Sequence, residues 1–355
     1  MNDQRKREHD GPTNPPRLRV TDLHVSYADR SGWRPLSGRA PRVKAVRGVD
    51  LAIARGACLG LVGESGCGKS TLARAIMRLV PIDRGSICLD GQDMSAPPRD
   101  QSKVMRRRVQ KVFQNAHFSM NPRMTVESIV SDPLRFHERC SQDERTHRVS
   151  DVLDVVGLDE ALRSRYPHEL SGGQLQRVAI ARALVLNPDV LVCDEPVSAL
   201  DVSAQVEILA QLRKIQRERN LTMLLITHDL DVAATVCDDL AVMYLGRIIE
   251  YGSVGDVASQ PKHPYSFFLN AARDMLQSDP SPGSLDRAPV LGGEPPSPVC
   301  PPNGCAFHPR CPIATDHCVS QEPRLIQPAG ASQSHRAACH HSDRIADLKK
   351  LTATG

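Results

Sequence analysis

Short runs of strand length, most of them apolar, alternate along this chain with longer stretches of helical spacing. Cys58-Leu59-Gly60-Leu61-Val62, Val109-Gln110-Lys111-Val112-Phe113, Val190-Leu191-Val192-Cys193 and Leu221 to Thr227 each read as strands. Continuous apolar runs of this kind belong in a parallel sheet covered on both faces. Thr71 to Leu79 and most of Met124 to Leu186 read as helical, with an amphipathic stretch at Val149 to Val156 that stops at Gly157. Leu23-His24-Val25-Ser26-Tyr27 instead alternates apolar and polar, so Arg17 to about Ala57 is predicted to form an antiparallel β-subdomain. Leu240 to Tyr251 predicts a hairpin around Gly246, and Pro261 to Met275 a short helix leaving the core. Strand, loop and helix in alternation predict an α/β fold with one parallel sheet and no internal duplication.

Composition then sets boundaries. Residues 1–16 are polar and Pro-rich, which predicts a flexible tail; residues 17–275 hold the patterned core; from about Gln277, Pro and Ser dominate up to Pro302, and cysteines follow, giving a third region at 276–355. Ala28 to Arg42, which carries the only tryptophan, Trp33, reads as an insertion between two strands. A net charge of +4 is mild, and Arg106-Arg107-Arg108 reads as a solvated helix end or a phosphate-facing surface, so nucleic acid is not the predicted partner. No apolar run approaches the roughly 18 residues of a membrane span, and Met1 to Arg19 lacks the apolar centre of a signal peptide. The expectation is a protein on the cytosolic side that reaches a membrane only through a partner.

The chemistry is concentrated between the strands. Gly63-Glu64-Ser65-Gly66-Cys67-Gly68-Lys69-Ser70 follows the first apolar run and precedes a helix beginning at Thr71, the order a phosphate-binding loop requires. Its glycines let backbone N–H groups curl around phosphates, Lys69 reaches the outer phosphates, and Ser70 supplies a hydroxyl ligand for Mg²⁺. Val190 to Cys193 ends in Asp194 and Glu195, two carboxylates at the carboxyl end of a strand, where parallel sheets bind ligands. Asp194 is expected to hold Mg²⁺ and Glu195 to polarise the attacking water. Leu170-Ser171-Gly172-Gly173-Gln174 opens a further helix, whose first N–H groups offer partial positive charge to an anion.

These motifs, in this order, resemble those of ABC ATPases. The resemblance implies a P-loop NTPase fold: a parallel sheet core, an antiparallel β-subdomain and a helical subdomain, here with a small cysteine-containing C-terminal extension. It implies that Ser171, Gly172, Gly173 and Gln174 close over the γ-phosphate of ATP bound by a second ATPase subunit. It further gives Gln114 the place of the glutamine linking Mg²⁺ and water to the transporter contact, and His228 that of a γ-phosphate switch. Ser198-Ala199-Leu200-Asp201 resembles the loop by which two ATPase subunits sense each other, and Tyr27 takes the place of an aromatic that stacks on adenine. Every motif is present, so the chain is expected to be catalytically competent. A soluble ABC ATPase acting on DNA or ribosomes would bring long coiled-coil insertions or a second core, and neither is visible.

Cys300, Cys305, Cys311, Cys318 and Cys339 account for five of the eleven cysteines. A cytosolic chain should not carry structural disulfides, and the intervals lack any Cys-x-x-Cys, so zinc, an iron–sulfur cluster and packed reduced thiols all stay open from the residues alone. Residues 17 to 340 resemble the ATPase subunits of the peptide and nickel importers. The resemblance rests on Phe118-Ser119-Met120-Asn121-Pro122-Arg123, Met243-Tyr244-Leu245-Gly246-Arg247, His263-Pro264-Tyr265, and Gly304-Cys305 through Arg310-Cys311-Pro312. It implies import of di- or oligopeptides, with nickel import or another ABC transport system as the alternative. It also implies a [4Fe–4S] site at Cys305, Cys311, Cys318 and Cys339 with Cys300 spare. The implied partners are a second ATPase subunit, a paralogue forming a heterodimer, and two transmembrane permease subunits, with a substrate-binding protein reached indirectly. The implied location is the cytoplasmic face of the membrane. One departure from the pattern, Asn115-Ala116 where the family commonly has Asp-Pro, touches the permease groove rather than hydrolysis.

Overall fold

A computed structural model describes residues 15–28, 41–95, 99–277 and 292–348. The tail 1–14, the insertion around Trp33 and most of the Pro/Ser-rich stretch lie outside the described residues. The strands are β1 (Leu18–Ala28), β2 (Arg42–Ile53), β3 (Cys58–Val62), β4 (Arg84–Leu89), β5 (Gln92–Asp93) and β6 (Val109–Val112). They continue with β7 (Val190–Asp194), β8 (Thr222–Thr227), β9 (Asp239–Tyr244), β10 (Arg247–Ser253) and β11 (Arg336–Ala337). The helices are α1 (Lys69–Ile76), α2 (Arg99–Arg108), α3 (Val126–His137), α4 (Gln142–Val155) and α5 (Gly172–Leu184). After them come α6 (Val202–Glu218), α7 (Leu230–Val236), α8 (Val254–Ser259), α9 (Pro264–Gln277) and α10 (Asp316–Ser320).

The main sheet has seven strands in the order β11-β10-β9-β3-β8-β7-β6, with β9, β3, β8, β7 and β6 parallel. Every residue of β3, β7 and β8 is buried, and successive residues serve two different cores. Cys58, Leu191, Cys193 and Leu225 pack on the helical side, whereas Leu59, Leu61, Val192 and Ile226 pack against α1 and the antiparallel sheet. This two-sided burial is why the runs are apolar without alternation.

The antiparallel sheet has the order β2-β1-β4-β5. It therefore takes two strands from beyond the phosphate loop, where the expected subdomain stopped near Ala57. Leu245 (φ 42) and Gly246 (φ 81) both lie in the left-handed region, and they close the β9–β10 hairpin where it was expected. Arg108 is not a solvated helix end: it pairs with Asp90 and Asp189, and Arg107 with Glu138, because α2 runs straight into β6 among acidic neighbours.

The cysteine segment is built onto the main sheet. β11 pairs with β10 through Glu250↔Ala337, and Phe307 is buried against Tyr244 and Tyr265. The wholly buried Glu250 carboxylate accepts hydrogen bonds from Lys262 N (2.6 Å), His263 N (2.9 Å) and His335 Nε2 (2.7 Å). The composition change near residue 276 is thus no break in packing.

Candidate functional site

The loop after β3 is shaped by glycines that nothing else can replace. Gly63 has φ 155 and Gly68 φ 113; a Cβ on either would lie 2.2 Å from a backbone oxygen, of Met243 and of Ala45 respectively. Gly68 caps α1 without a side-chain hydrogen bond, and the first turn carries no acid. The leading amides of the helix are therefore left for an anion, which fits the phosphates of a nucleotide. Lys69 is buried, and its Nζ donates to Gly63 O (2.6 Å) and Glu64 O (2.9 Å). Cys67 is buried beside it, and that burial pushes its thiol pKa up. Ser65, Gly66 and Ser70 are exposed along the loop, and Thr71 is half-buried in the first turn of α1.

At the carboxyl edge of the sheet the two acids have separate environments. Asp194 is buried, accepts from Ser70 Oγ (3.4 Å), and forms an ion pair with Lys111 Nζ at 2.7 Å. Glu195 sits at φ 48, in the left-handed region rarely adopted by a residue with a side chain, and its N–H donates to Ile226 O at 2.8 Å. Its carboxylate receives Gln114 Nε2 at 2.7 Å and faces His228 Nδ1 at 3.3 Å. Residues following β6, β7 and β8 thus converge, with Gln114 and His228 exposed and Glu195 half-buried. Asp194 is held by a cation and a hydroxyl, and Glu195 by an amide and an imidazole. The second arrangement leaves a half-buried carboxylate of the kind that can serve as a base beside water. Lys111 was missed from the sequence; a lysine inside a buried strand run beside the acidic strand was the available signal.

The remaining predicted residues lie elsewhere on the molecule. Ser171 is the N-cap of α5 in a reciprocal pair with Gln174: Gln174 N donates to Ser171 Oγ (3.3 Å) and Ser171 N to Gln174 Oε1 (3.0 Å). Ser171 and Gly172 are exposed and Gly173 half-buried. Asp201 caps α6, accepting from Ser203 Oγ (2.6 Å) and Ala204 N (2.9 Å), and these bonds hold its carboxyl below the usual range. Tyr27, near the end of β1 opposite Val43, is half-buried against the second core.

Cys305, Cys311, Cys318 and Cys339 line one small cavity with Phe307 and His308, while Cys300 is exposed outside it. Burial pushes the Cys311 thiol up to about 11 and the Cys339 thiol up to about 12, and raises Cys305 as well. The sulfurs still have local polar neighbours: Cys318 Sγ lies 3.6 Å from Thr315 Oγ1, and Cys339 Sγ accepts from His341 N at 3.4 Å. Among the described residues, no group of three or more metal-ligating side chains is arranged to hold an ion. The segment gathers four thiols of the right chemistry without setting them in a coordination shell.

A glycine-built phosphate loop and a split acidic pair on a parallel sheet, with an antiparallel sheet packed alongside, define an ATP-binding cassette of the P-loop class. Solved structures agree. The dimeric ATP-binding cassette MJ0796, in a post-hydrolysis state bound to ADP and Pi, matches with a TM-score of 0.59 and 30% identity over 67% of this chain and 98% of that one. CbiO1 of Clostridium perfringens, part of a transporter complex, matches with a TM-score of 0.60 and 29% identity, covering 74% and 98%.

The chain belongs to the ABC transporter ATP-binding proteins. The ABC transporter family model matches residues 46–198, and the model for the oligopeptide/dipeptide transporter C-terminal region matches residues 249–318. Among its relatives, the oligopeptide transport ATP-binding protein OppF of Salmonella typhimurium is 43% identical over 92% of this chain and 97% of its own length. AppF of Bacillus subtilis, also an oligopeptide transport ATP-binding protein, is 42% identical over 91% and 96%. DppF of Pseudomonas aeruginosa, a di/tripeptide transport ATP-binding protein, is 41% identical over 92% and 98%.

Proposed function

We propose that this chain binds and hydrolyses ATP to power a membrane importer of di- or oligopeptides. The observation that carries the peptide reading is the match of residues 249–318 to the oligopeptide/dipeptide transporter C-terminal region. The peptide-transport names of the relatives favour it over nickel import. Among the described residues no helix is long and apolar enough to cross a membrane. Contact with the bilayer then falls to permease subunits at its cytoplasmic face.

In this reading ATP is the substrate of the loop 63–70, with Lys69 leaving its carbonyl partners for the outer phosphates and Tyr27 offering its ring to adenine. Mg²⁺, held by Ser70 and Asp194 with Gln114 nearby, would screen the phosphate charge. Glu195 accepts the proton of the attacking water, and Gln114 and His228 hold its carboxylate in place. The exposed Ser171 and Gly172 and the half-buried Gly173 close over the nucleotide of a second ATPase subunit, with Asp201 at the shared seam, so each site excludes water only when two subunits meet. Reopening moves the Gln114 region against the permeases. A [4Fe–4S] cluster at Cys305, Cys311, Cys318 and Cys339 completes the reading. It rests on four thiols reaching one cavity and implies that metal loading draws them from their local neighbours.

The test is uptake of labelled dipeptides, longer peptides and Ni²⁺ in the source cell after replacement by Glu195→Gln. Peptide uptake should be lost with Ni²⁺ uptake intact. Loss of Ni²⁺ uptake alone would overturn the peptide assignment.

A further inference from the structure

The phosphate loop is tied to the cysteine segment through one charged side chain. Arg310, 246 residues away in sequence, places Nη1 at 3.0 Å from Glu64 Oε2 and Nη2 at 3.2 Å from Glu64 Oε1. This is the two-pronged guanidinium–carboxylate geometry that fixes orientation as well as charge. The Arg310 side chain is only 6% exposed; its Nε donates to Gly292 O (3.2 Å) and Nη1 also reaches Tyr244 OH (3.4 Å). Beside it, Glu64 N donates to Tyr265 OH at 2.8 Å, so both the backbone and the side chain of Glu64 are held from outside the loop.

Glu64 poses an electrostatic problem for the site. A carboxylate inside a loop that must receive a triphosphate repels its substrate unless it is neutralised and turned away. We propose that Arg310 is a positioning residue of the nucleotide site: it cancels and pins the Glu64 carboxylate, so that ATP affinity depends on the folded state of the cysteine segment. The dependence follows from how Arg310 is itself placed. It lies in a turn set by Arg310 N→Phe307 O (3.0 Å) and Cys311 N→His308 O (3.2 Å), with Phe307 wedged against Tyr244 and Tyr265 and Cys311 on the cavity wall. Any change that loosens this turn frees Glu64 toward the phosphates. The inference rests on residues 63–70 being the ATP site.

The test uses the full-length chain with Mg²⁺ and a fluorescent ATP analogue, comparing wild type, Arg310→Gln, Arg310→Lys and the double variant Glu64→Gln/Arg310→Gln, each with a thermal melt. Arg310→Gln should weaken nucleotide binding on the order of tenfold, raising KM for ATP with kcat little changed. Arg310→Lys should lose less, and the double variant should recover most of the lost affinity, since the repelling charge is gone. Wild-type affinity in Arg310→Gln would overturn the proposal, as would a double variant as weak as the single one with an unchanged melt. Should Arg310→Gln not fold, the exchange Glu64→Arg/Arg310→Glu keeps the pair, and a folded exchange variant that binds more than tenfold worse than wild type would also overturn it. A wild-type chain that binds no nucleotide would instead overturn the ATP site itself.

Discussion

The phosphate loop and the cysteine cavity are built on opposite principles. Backbone geometry makes the first. Gly63 and Gly68 occupy positions where a Cβ would strike a carbonyl oxygen, and the uncapped start of α1 supplies the amides. Side chains make the second: four thiols carried on a turn-rich segment reach one cavity, each with its own local neighbours. A loop shaped by its backbone has its form as soon as the chain folds, whereas side chains gathered in a cavity can still rearrange around a ligand.

The sharpest way to break this contrast is to put a methyl group where the backbone allows none. Gly68→Ala should abolish nucleotide binding outright, because its Cβ would sit 2.2 Å from Ala45 O; equilibrium binding of a labelled nucleotide reads the loss. The same conservative scale of change should do different damage at the other site. Cys311→Ser in anaerobically purified protein should remove bound iron and the broad absorbance near about 400 nm expected of a thiolate-held cluster. Cys300→Ser should leave both in place, since Cys300 is exposed outside the cavity. Colourless wild-type protein would remove the cluster altogether.

The seam between the two regions should respond more weakly. His335→Ala leaves the buried Glu250 carboxylate with only its two backbone donors, and should cost about 2 kcal/mol of stability, read as a lower melting temperature. The smallest effect concerns Lys111, which competes for Asp194 with any bound cation. Lys111→Met should lower the Mg²⁺ concentration for half-maximal hydrolysis, because a positive charge that competes for Asp194 is removed. An unchanged Mg²⁺ requirement would mean that the ion pair only packs the strand.

What was legible in the sequence follows the same division. The loop 63–70, the acidic pair, Gln114 and His228 all sit at ends of apolar runs, and a strand end fixes position in space as well as in sequence. Gln114 and His228 accordingly meet at Glu195. Pairings between distant segments were not legible. Nothing local marks Arg310 as the partner of Glu64 or His335 as the cap of a buried Glu250. The same holds for β4 and β5, which join a sheet begun before the phosphate loop, and for β11, two residues that extend the main sheet from the far end of the chain. The cysteines were visible as a cluster by composition, but spacing alone could not bring Cys339 beside Cys305.

Glu195 is singled out at the carboxyl edge by its strained backbone and paired hydrogen bonds. The decisive measurement is phosphate release from MgATP by purified wild-type and Glu195→Gln chains, with nucleotide binding recorded in parallel. Loss of a general base predicts at least about a hundredfold slower hydrolysis with binding retained. Hydrolysis at the wild-type rate would contradict the assignment of Glu195 as the base.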